Sequence, residues 1–365
     1  MKILTVDVGT GTQDIFLYDS QVDLENGFKL VLPSPTMIIH RQLKAAARRR
    51  EAVVLTGVTM GGGPSAWGAE AVLQSGVPVF ATPDAARSFN DDLEKVREIG
   101  IQVVSEDEVG TLPADVRRVE LRDFDFSLIA DTFARYGVSL NKLAAVGVAV
   151  FDHGAAPADV SDRQFRFDYL DAVIRKTNDL TGFAHPAGEI PEIMTRLLAV
   201  EQSARGLPAP LVVMDTAPAA VLGACFDPLA ASRPRKLVAN VGNFHTLAFR
   251  LGPEGIEGVF EHHTGLLDLP GLEALLRALA DGSLTHEQVF NHHGHGALVY
   301  NRTPLALDAA EPNLVVTGPR RGLLRNSPLK PYFAVPFGDM MIAGCFGLLA
   351  GVARCLPDLA GEINA

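Results

Sequence analysis

A glycine-rich turn, Gly9-Thr10-Gly11-Thr12, follows the first apolar run of the chain. A glycine turn between two strands lets backbone N–H groups converge on an anion, and threonine hydroxyls add donors without bulk. Asp7 stands at the end of the preceding strand, where a carboxylate can hold the waters of a phosphate-bound Mg²⁺. The turn residues are therefore candidate phosphate ligands, and Asp7 is a candidate catalytic residue. A hairpin turn with a solvated aspartate is the alternative.

A similar turn recurs in the second half of the chain, as Gly242-Asn243-Phe244-His245-Thr246 between two apolar runs. Two lobes that begin with the same hairpin would explain the repetition. Chance similarity of two short motifs is the competing explanation. Gly242, Asn243, His245 and Thr246 are candidate ligands for the same phosphate group, and His245 is the histidine most directly placed to bind it.

Histidines gather beside glycine, threonine or one another at predicted strand ends and loops. They are His153, His245, His262, His263, His292, His293 and His295. Neutral imidazoles at such places are candidate ligands for Zn²⁺ or Fe²⁺, and the metal candidates are His153, His263, His293 and His295. No pair has the HExxH spacing of a helical zinc site, so polar loops and core hydrogen bonds are the alternative.

Asp215 ends an apolar strand and precedes a helix of small residues. From that position a carboxylate can take a proton from a nucleophilic hydroxyl or orient a water molecule. It can equally cap the N-terminus of the helix, which requires no chemistry. Asp215 is therefore a candidate catalytic base, with helix capping as the alternative.

These motifs, taken in order, resemble those of the actin, Hsp70 and sugar-kinase superfamily of ATPases. The matching stretches are the first phosphate motif at 6–12 (VDVGTGT), the catalytic-aspartate segment at 213–223 (VMDTAPAAVLG), the second phosphate motif at 240–246 (NVGNFHT), the adenosine motif at 315–319 (VVTGP) and the closing small-residue helix at 338–345 (GDMMIAGC). The resemblance runs from residue 7 to about 352.

The resemblance implies a two-lobed α/β fold of ribonuclease H-like lobes, with ATP and Mg²⁺ in a central cleft. In that reading Asp7 organises Mg²⁺ through water, Asp215 is the base, and Gly318 and Gly344 lie against the nucleotide. The chain departs from the superfamily pattern at two places. Pro319 follows Gly318 where kinases usually have a second glycine, and Asn243 replaces the usual threonine or serine.

The amino-acid sequence is also similar to the sequences of a prokaryotic family whose members are labelled pyruvate formate-lyase activating enzymes. The shared motifs are FDHGAAP, GNFHT, EHHTG, GHGA and GDMMIAGCFG. That label implies radical chemistry on a cluster held by cysteines. Cys225, Cys345 and Cys355 have no CxxC or CxxxCxxC spacing, which argues against such a cluster.

Strand-like runs alternate with helix-forming stretches over most of the chain, which predicts α/β layering. Predicted strands lie at 3–8, 14–18, 30–32, 53–55, 77–81, 101–104, 116–121, 145–151, 211–214, 237–251 (two strands and a turn) and 314–317. From residue 166 the sequence changes from strand-forming to helix-forming stretches. This change predicts an N-terminal lobe at 1–165 and a C-terminal lobe at 166–365. Residues 52–120 are extra βα material in the first lobe.

The formal net charge of −11 and the pI near 5.4 leave no basic field for nucleic acid or anionic lipid. The longest apolar run, residues 340–353, is too short to span a bilayer, and the N-terminus lacks the apolar stretch of a secretory signal. These features predict a cytoplasmic protein. Its expected partners are a small-molecule substrate and either a second copy or another protein.

Three functions remain open at this point. The preferred one is an ATP- and Mg²⁺-dependent enzyme that transfers a phosphoryl group to a small acceptor or to water. The second is a transferase or hydrolase on the same scaffold, with a metal held by histidines. The third is a non-catalytic sensor or activator that closes on nucleotide and signals to a partner.

Overall fold

The computed structural model describes residues 1–307 and 312–363, which form an α/β protein with three sheets. In chain order, the strands are β1 Lys2–Val8, β2 Thr12–Asp19, β3 Phe28–Pro33, β4 Val53–Gly57, β5 Val79–Ala81, β6 Gln102–Val103, β7 Arg117–Leu121, β8 Ala145–Val150, β9 Ala184–Pro186, β10 Leu211–Asp215, β11 Lys236–Val241, β12 His245–Gly252, β13 Gly255–His263, β14 Gly296–Val299, β15 Leu314–Thr317 and β16 Tyr332–Phe333.

The helices cover the faces of these sheets. They are α1 Pro35–Arg49, α2 Pro64–Gln74, α3 Pro83–Ala86, α4 Leu93–Glu98, α5 Glu106–Thr111, α6 Phe126–Arg135, α7 Asp162–Thr177, α8 Thr195–Ser203, α9 Thr216–Ala224, α10 Pro228–Ala231, α11 Leu269–Asp281, α12 His286–Phe290, α13 Ala343–Cys355 and α14 Pro357–Ala360. Within the described ranges, no helix is long and apolar enough to cross a membrane.

The first sheet has the order β3-β2-β1-β8-β10-β9. Strands β1 to β3 form an antiparallel meander, and β8 and β10 are parallel to β1. Every residue of β8 is buried, because helices cover both faces of this central strand. The carboxyl ends of β1, β8 and β10 meet at one edge, so the residues that follow them are brought together.

The second sheet repeats this plan, with the order β14-β13-β12-β11-β15-β16. Strands β11 to β14 form an antiparallel meander, and β15 is parallel to β11. Each sheet therefore starts with a glycine-turn hairpin and adds parallel strands beside the first strand of that hairpin. Two lobes with this shared topology form the actin-like ATPase fold, which confirms the fold predicted from the sequence.

The third sheet belongs to the extra material in the first lobe. Its four strands, β6-β5-β4-β7, are all parallel and span Val53–Leu121, close to the 52–120 expected from the sequence. Helices α1 and α2 pack on it, and Leu43, Val53 and Val72 are fully buried in its core. Residues of this small α/β unit share a cavity wall with residues that follow β1 and β8, such as Thr10 and His153.

The first lobe extends beyond the boundary expected at residue 165. Strands β9 and β10 pair within the first sheet, and α7 and α8 are connections inside that lobe. Two parallel strands of one sheet need a crossover connection. The helical stretch after β8 is therefore part of the connection between β8 and β10. Helix α13, near the end of the chain, also packs on the first sheet, with Cys345 and Phe346 fully buried in that core.

Candidate functional site

The two glycine turns close in the same way. The N–H of Gly9 donates to the carbonyl of Thr12 at 2.9 Å, and the N–H of Gly242 donates to the carbonyl of His245 at 3.0 Å. A Cβ on Gly242 would lie 2.6 Å from that carbonyl oxygen, so a side chain at this position would force the turn to open. The repetition noticed in the sequence is thus a repetition of backbone geometry.

Both turns line a single cavity between the lobes, which we call the first cavity. It contains about 850 Å³ of space not occupied by protein atoms, and this volume includes space open to solvent. Its wall includes eight of the ten predicted cofactor ligands, namely Gly9, Thr10, Thr12, Gly242, Asn243, His245, Gly318 and Gly344. The turns also touch each other, because a Cβ on Gly11 would lie 2.6 Å from Nδ2 of Asn243. Thr246 is buried behind the wall, where its hydroxyl bonds to that of Thr264 at 2.9 Å.

Two buried carboxylates face the first cavity. Asp7 is the last residue but one of β1 and is paired directly with Asp14 on β2. Burial raises the pKa of Asp7 to about 7; the hydrogen bond from Thr216 at 2.5 Å opposes this shift, and the charge of Asp215 adds to it. Burial raises the pKa of Asp14 to about 8, and the charge of Asp7 adds to the shift. Oδ1 of Asp14 is buried without a hydrogen-bond partner.

Two further glycines let backbone approach the cavity closely. A Cβ on Gly344, at the start of α13, would collide with Oδ2 of Asp7. Gly318 follows β15 with φ at +96°, and a Cβ there would collide with Oδ1 of Asn240. Only glycine fits these two positions, so the backbone on both sides of the cavity is drawn towards the carboxylates and the turns.

Asp215 is fully engaged by its neighbours. Its Oδ1 accepts the N–H of Ala217 at 2.9 Å and so caps α9, while its Oδ2 accepts Nη1 of Arg166 at 2.7 Å. It is 1% exposed and does not line the first cavity. Its neighbour Thr216 does line the cavity, and the hydroxyl of Thr216 bonds to Asp7. The helix-capping role foreseen for Asp215 is therefore present, together with an ion pair that the sequence did not reveal.

Arg166 links the two lobes at the base of the site. It lies on α7 and is fully buried, with Nη1 on Asp215 and Nε on Oε2 of Glu261 at 2.8 Å. Burial alone would lower the pKa of the guanidinium, but the charges of the two carboxylates raise it above its usual value. Its guanidinium also lies 4.1 Å from the centre of the Phe151 ring. A permanent cation thus stands behind both Asp215 and Glu261.

A cluster of three histidines and one glutamate lies beside this arginine, and we call it the histidine cluster. It consists of His153, His245, Glu261 and His295, whose ligand-capable atoms all lie within 4.8 Å of one another. His153 follows β8 in the first lobe. The other three come from one end of β12 and β13 and from the residue before β14, in the second lobe.

The imidazoles of this cluster are held neutral. Burial lowers the pKa of His245 to about 3 and that of His295 to about 2; the charge of Arg166 also lowers both, while Glu261 acts in the opposite direction on His245. Burial likewise takes the pKa of His153 well below its usual value, with His245 adding to the effect. Neutral imidazole is the form that binds metal ions.

The structure gathers some of the predicted metal ligands and leaves others outside. His153 and His295 are in the cluster. The ring of His263 is 4.6 Å from that of His295, centre to centre, but His263 does not belong to the four-residue group. His293 is exposed in the loop before β14, with φ at +65°. His245, predicted as a phosphate ligand, lies in both the cluster and the wall of the first cavity.

A second cavity adjoins the first, between the first lobe and the small α/β unit. It is bordered by the loop Gly61–Gly63, by Ser88 and Asp91 of the unit, and by Asp152 and His153 of the first lobe. The two cavities share wall residues, namely Thr10, Phe151, Arg196, Phe244 and His245. A molecule in the second cavity would therefore lie next to one in the first.

Sequence reasoning missed Asp14, Thr216 and Glu261. For Asp14 a signal was present, because a hairpin closed by the turn at Gly9 to Thr12 must pair Asp7 with Asp14. Glu261 stands immediately before two histidines in EHHTG, but the sequence does not predict it as a metal ligand. Its role depends on Arg166, a distant residue that no local pattern connects to it.

Comparisons with solved structures give matches of low identity. An activator of the 2-hydroxyisocaproyl-CoA dehydratase from Clostridium difficile with bound ADPNP is 9% identical with a TM-score of 0.35, covering 100% of this chain and 99% of that one. The ethanolamine utilization protein EutJ from Carboxydothermus hydrogenoformans is 11% identical with a TM-score of 0.30, covering 95% and 89%. The ROK hexokinase from Thermus thermophilus is 15% identical with a TM-score of 0.27, covering 98% and 90%.

A comparison with curated protein sequences gives no match. Residues 60–323 match the model of a family described as "Putative pyruvate format-lyase activating enzyme (DUF1786)". Among the described residues, the group able to hold a metal consists of histidines and a glutamate and includes no cysteine. The family match covers most of the 365 residues, and the chain belongs to this family.

Proposed function

We propose that this protein binds a nucleoside triphosphate with Mg²⁺ in the first cavity and transfers the terminal phosphoryl group to a small molecule. One observation carries the proposal: two equivalent glycine turns from opposite lobes line one cavity together with two buried carboxylates. Phosphoryl transfer requires little from a protein beyond positioning and charge stabilisation. Turns that present N–H groups and hydroxyls from two sides, with carboxylates beside them, meet that requirement.

In this proposal the phosphates lie between the turns. Thr10 and Thr12 donate from the first lobe, and Asn243 and the backbone beside Gly242 donate from the second. Apolar contacts on the far side of the cavity, from Met340 and neighbouring residues of the wall, suit a nucleoside base. The departure at Pro319 lies in this same wall, so base recognition differs in detail from that of kinases with a second glycine.

The carboxylate pair fits a hard divalent cation. Asp7 and Asp14 are oxygen ligands side by side on paired strands, and Oδ1 of Asp14 is buried without a hydrogen-bond partner. Mg²⁺ prefers such ligands and keeps several waters, so Asp7 and Asp14 would hold it through water and with phosphate oxygens. The ion would neutralise charge on the transferred group. Asp215 acts by position, because it fixes the start of α9 and thereby holds Thr216 against Asp7.

The acceptor belongs in the second cavity. That cavity shares five wall residues with the first, so an acceptor hydroxyl there would reach the terminal phosphate. The loop Gly61–Gly63 and Ser88 offer hydrogen bonds for a small polar molecule, and Arg196 stands between the two cavities. The acceptor is thus a polar metabolite, and water is the default acceptor when no metabolite is bound.

Calorimetry with ATP and ADP, with and without Mg²⁺, tests the proposal. Wild-type protein is expected to bind both nucleotides, more tightly with Mg²⁺. Gly242→Val is expected to abolish binding, because the added side chain opens the second turn. Asp7→Asn is expected to retain weak binding and lose its Mg²⁺ dependence. Gly110→Val is the matched control, since no atom lies within 4 Å of a Cβ at that exposed position.

Absence of nucleotide binding by folded wild-type protein in Mg²⁺ would contradict the proposal. Release of phosphate from ATP, stimulated by one member of a metabolite panel, would identify the acceptor. Binding without turnover across the panel, together with a protein that co-purifies, would point instead to a nucleotide-dependent sensor.

A further inference from the structure

The histidine cluster contains polar atoms that the protein itself does not satisfy. Oε1 of Glu261 and Nδ1 of His295 are both buried without a hydrogen-bond partner, and they lie 3.5 Å apart. An unsatisfied buried polar atom costs about 1–3 kcal/mol. Two such atoms side by side, in residues that are 0% and 1% exposed, indicate that a further partner completes the site.

The imidazoles do not supply that partner. Nε2 of His153 faces Nε2 of His295 at 3.2 Å, so a single N–H can serve the pair. The ring of His245 stacks on Phe151, with centres 4.2 Å apart and planes within 5°, which fixes its orientation. The cluster therefore holds ligand-capable atoms of four residues within 4.8 Å of one another.

Arg166 prepares the glutamate for a cation. Its Nε donates to Oε2 of Glu261, which leaves Oε1 as the free ligand atom. Carboxylates and imidazoles that bind metals are commonly oriented in this way by a second layer of hydrogen bonds. Asp215 adds a second negative charge beside the same arginine, so this buried group carries one more negative charge than positive.

From this geometry we infer that His153, His245, Glu261 and His295 form a metal centre for a divalent transition ion, Zn²⁺ or Fe²⁺. Three imidazoles and one carboxylate suit these ions, whereas Mg²⁺ prefers oxygen ligands alone. The centre is separate from the carboxylate pair of Asp7 and Asp14. It joins the lobes, because His153 belongs to the first lobe and the other ligands belong to the second.

The metal would face the second cavity. His153 and His245 line that cavity, whereas Glu261 and His295 are buried behind them. Four protein ligands complete a tetrahedral zinc site, so a molecule in the cavity would bind the ion as a fifth ligand on the side of His153 and His245. A ligand with an oxygen donor, such as a carboxylate or a hydroxyl group, suits that side.

The test is metal binding without nucleotide. Protein freed of metal by a chelator is titrated with Co²⁺ in excess Mg²⁺ and followed by visible absorption, then with Zn²⁺ in competition. Elemental analysis of protein purified without chelator distinguishes zinc from iron. Wild-type protein is expected to bind one ion per chain. His153→Asn, which replaces a largely buried ligand at the cavity wall, and His295→Asn are expected to weaken Co²⁺ binding at least about 10-fold.

Controls separate this centre from the surface and from the nucleotide site. His292→Ala and His293→Asn change exposed histidines of the same loop and are expected to keep wild-type affinity. Asp14→Asn is expected to keep Co²⁺ binding, so failure of the proposed nucleotide function leaves this result standing. Thermal unfolding provides a second readout: at the same Zn²⁺ concentration, the melting temperature is expected to rise more for the wild type than for His153→Asn.

Two results would overturn the inference: no Co²⁺ or Zn²⁺ binding by the folded wild type, or equal binding by the ligand variants and the wild type. The fifth position is tested by adding azide to the Co²⁺ protein. A changed visible spectrum is expected, and an unchanged one would contradict an exchangeable position facing the second cavity.

Discussion

Asp7 and Asp14 show how pairing in a hairpin creates a functional feature from two ordinary residues. Each is an aspartate in a strand, and only their register opposes them at the mouth of the cavity. Burial then raises both pKa values, to about 7 and about 8. The pair is partly protonated near neutral pH in the absence of a cation, and an arriving cation favours its ionised form.

The raised pKa of Asp14 predicts how stability depends on pH. The folded carboxyl keeps its proton up to about pH 8, whereas the unfolded one loses it near the ordinary pKa of aspartate, 3.8. Between these values the folded state binds more protons, so the free energy of unfolding falls as pH rises and levels off above about 8. Without divalent cations, the melting temperature of the wild type is expected to fall between pH 5 and 8.5.

Asp14→Asn is expected to reduce that fall by a few degrees, on the order of 2–4 °C per kcal/mol. Part of the slope remains, because Asp7 titrates in the same direction up to about pH 7. Asp131→Asn alters an exposed carboxylate and serves as the control. Identical pH profiles for the wild type and Asp14→Asn would contradict the raised pKa.

Residues whose constraint is local could be found from the sequence, and residues whose constraint is distant could not. Gly9 and Gly242 leave a trace because a turn that presents backbone N–H groups needs glycine in a short motif. Glu261 and Arg166 form an ion pair because α7 packs near β13. No local sequence pattern around either residue predicts that contact.

At the scale of elements, strong apolar runs were located well. The strand expected at 314–317 is β15 Leu314–Thr317, and the strand expected at 53–55 lies within β4 Val53–Gly57. Strands β13 and β14 were not predicted, because glycines and histidines interrupt their apolar pattern. These are the strands that carry or adjoin Glu261 and His295, so the functional residues themselves obscured the element.

Helices α9 and α13 cross at glycines that let their backbones touch. A Cβ on Gly347 would collide with the carbonyl oxygen of Ala219, and a Cβ on Gly223 would collide with that of Ala343. The crossing matters to the site because α9 begins at Thr216 and α13 carries Gly344. Both helix starts are therefore held against Asp7 by the same contact.

Gly347→Ala is expected to destabilise the protein by about 1–3 kcal/mol, as overpacking of a tight interface does. Thermal unfolding measures the loss, and calorimetry is expected to show weaker nucleotide binding because the helix starts separate. Gly110→Ala, at an exposed position with open space, is the control. Wild-type stability for Gly347→Ala would contradict the close helix contact.

At the scale of the whole molecule, the small α/β unit reaches across to the second lobe. Trp67 on α2, the only tryptophan in the chain, lies 5.7 Å from Phe244 between ring centres. Phe244 belongs to the second glycine turn. The unit is therefore in contact with the turn that we propose for phosphate binding.

Tryptophan emission is expected to report nucleotide binding. Addition of Mg²⁺ and ATP should shift or quench the fluorescence of Trp67, because binding reorders the turn that carries Phe244. Trp67→Phe is expected to remove the signal and preserve the affinity seen by calorimetry. Binding detected by calorimetry with no change in emission would contradict coupling between the unit and the turn.

The boundary between the lobes was the feature hardest to predict from the sequence. A switch from strands to helices after residue 165 resembles the start of a new domain, yet α7 and α8 carry the chain between parallel strands of one sheet. Only the pairing of β10 with β8 reveals this. Composition describes what a segment is made of, whereas membership in a lobe depends on what it pairs with.

The packing of α13 on the first sheet has a consequence for biosynthesis. The sheet begins with β1 Lys2–Val8, but the helix that covers one of its faces is Ala343–Cys355. On the ribosome, every residue between β1 and α13 must emerge before that apolar face is covered. The first lobe is therefore completed only after the second lobe has been translated, and its uncovered apolar face is prone to aggregation until then.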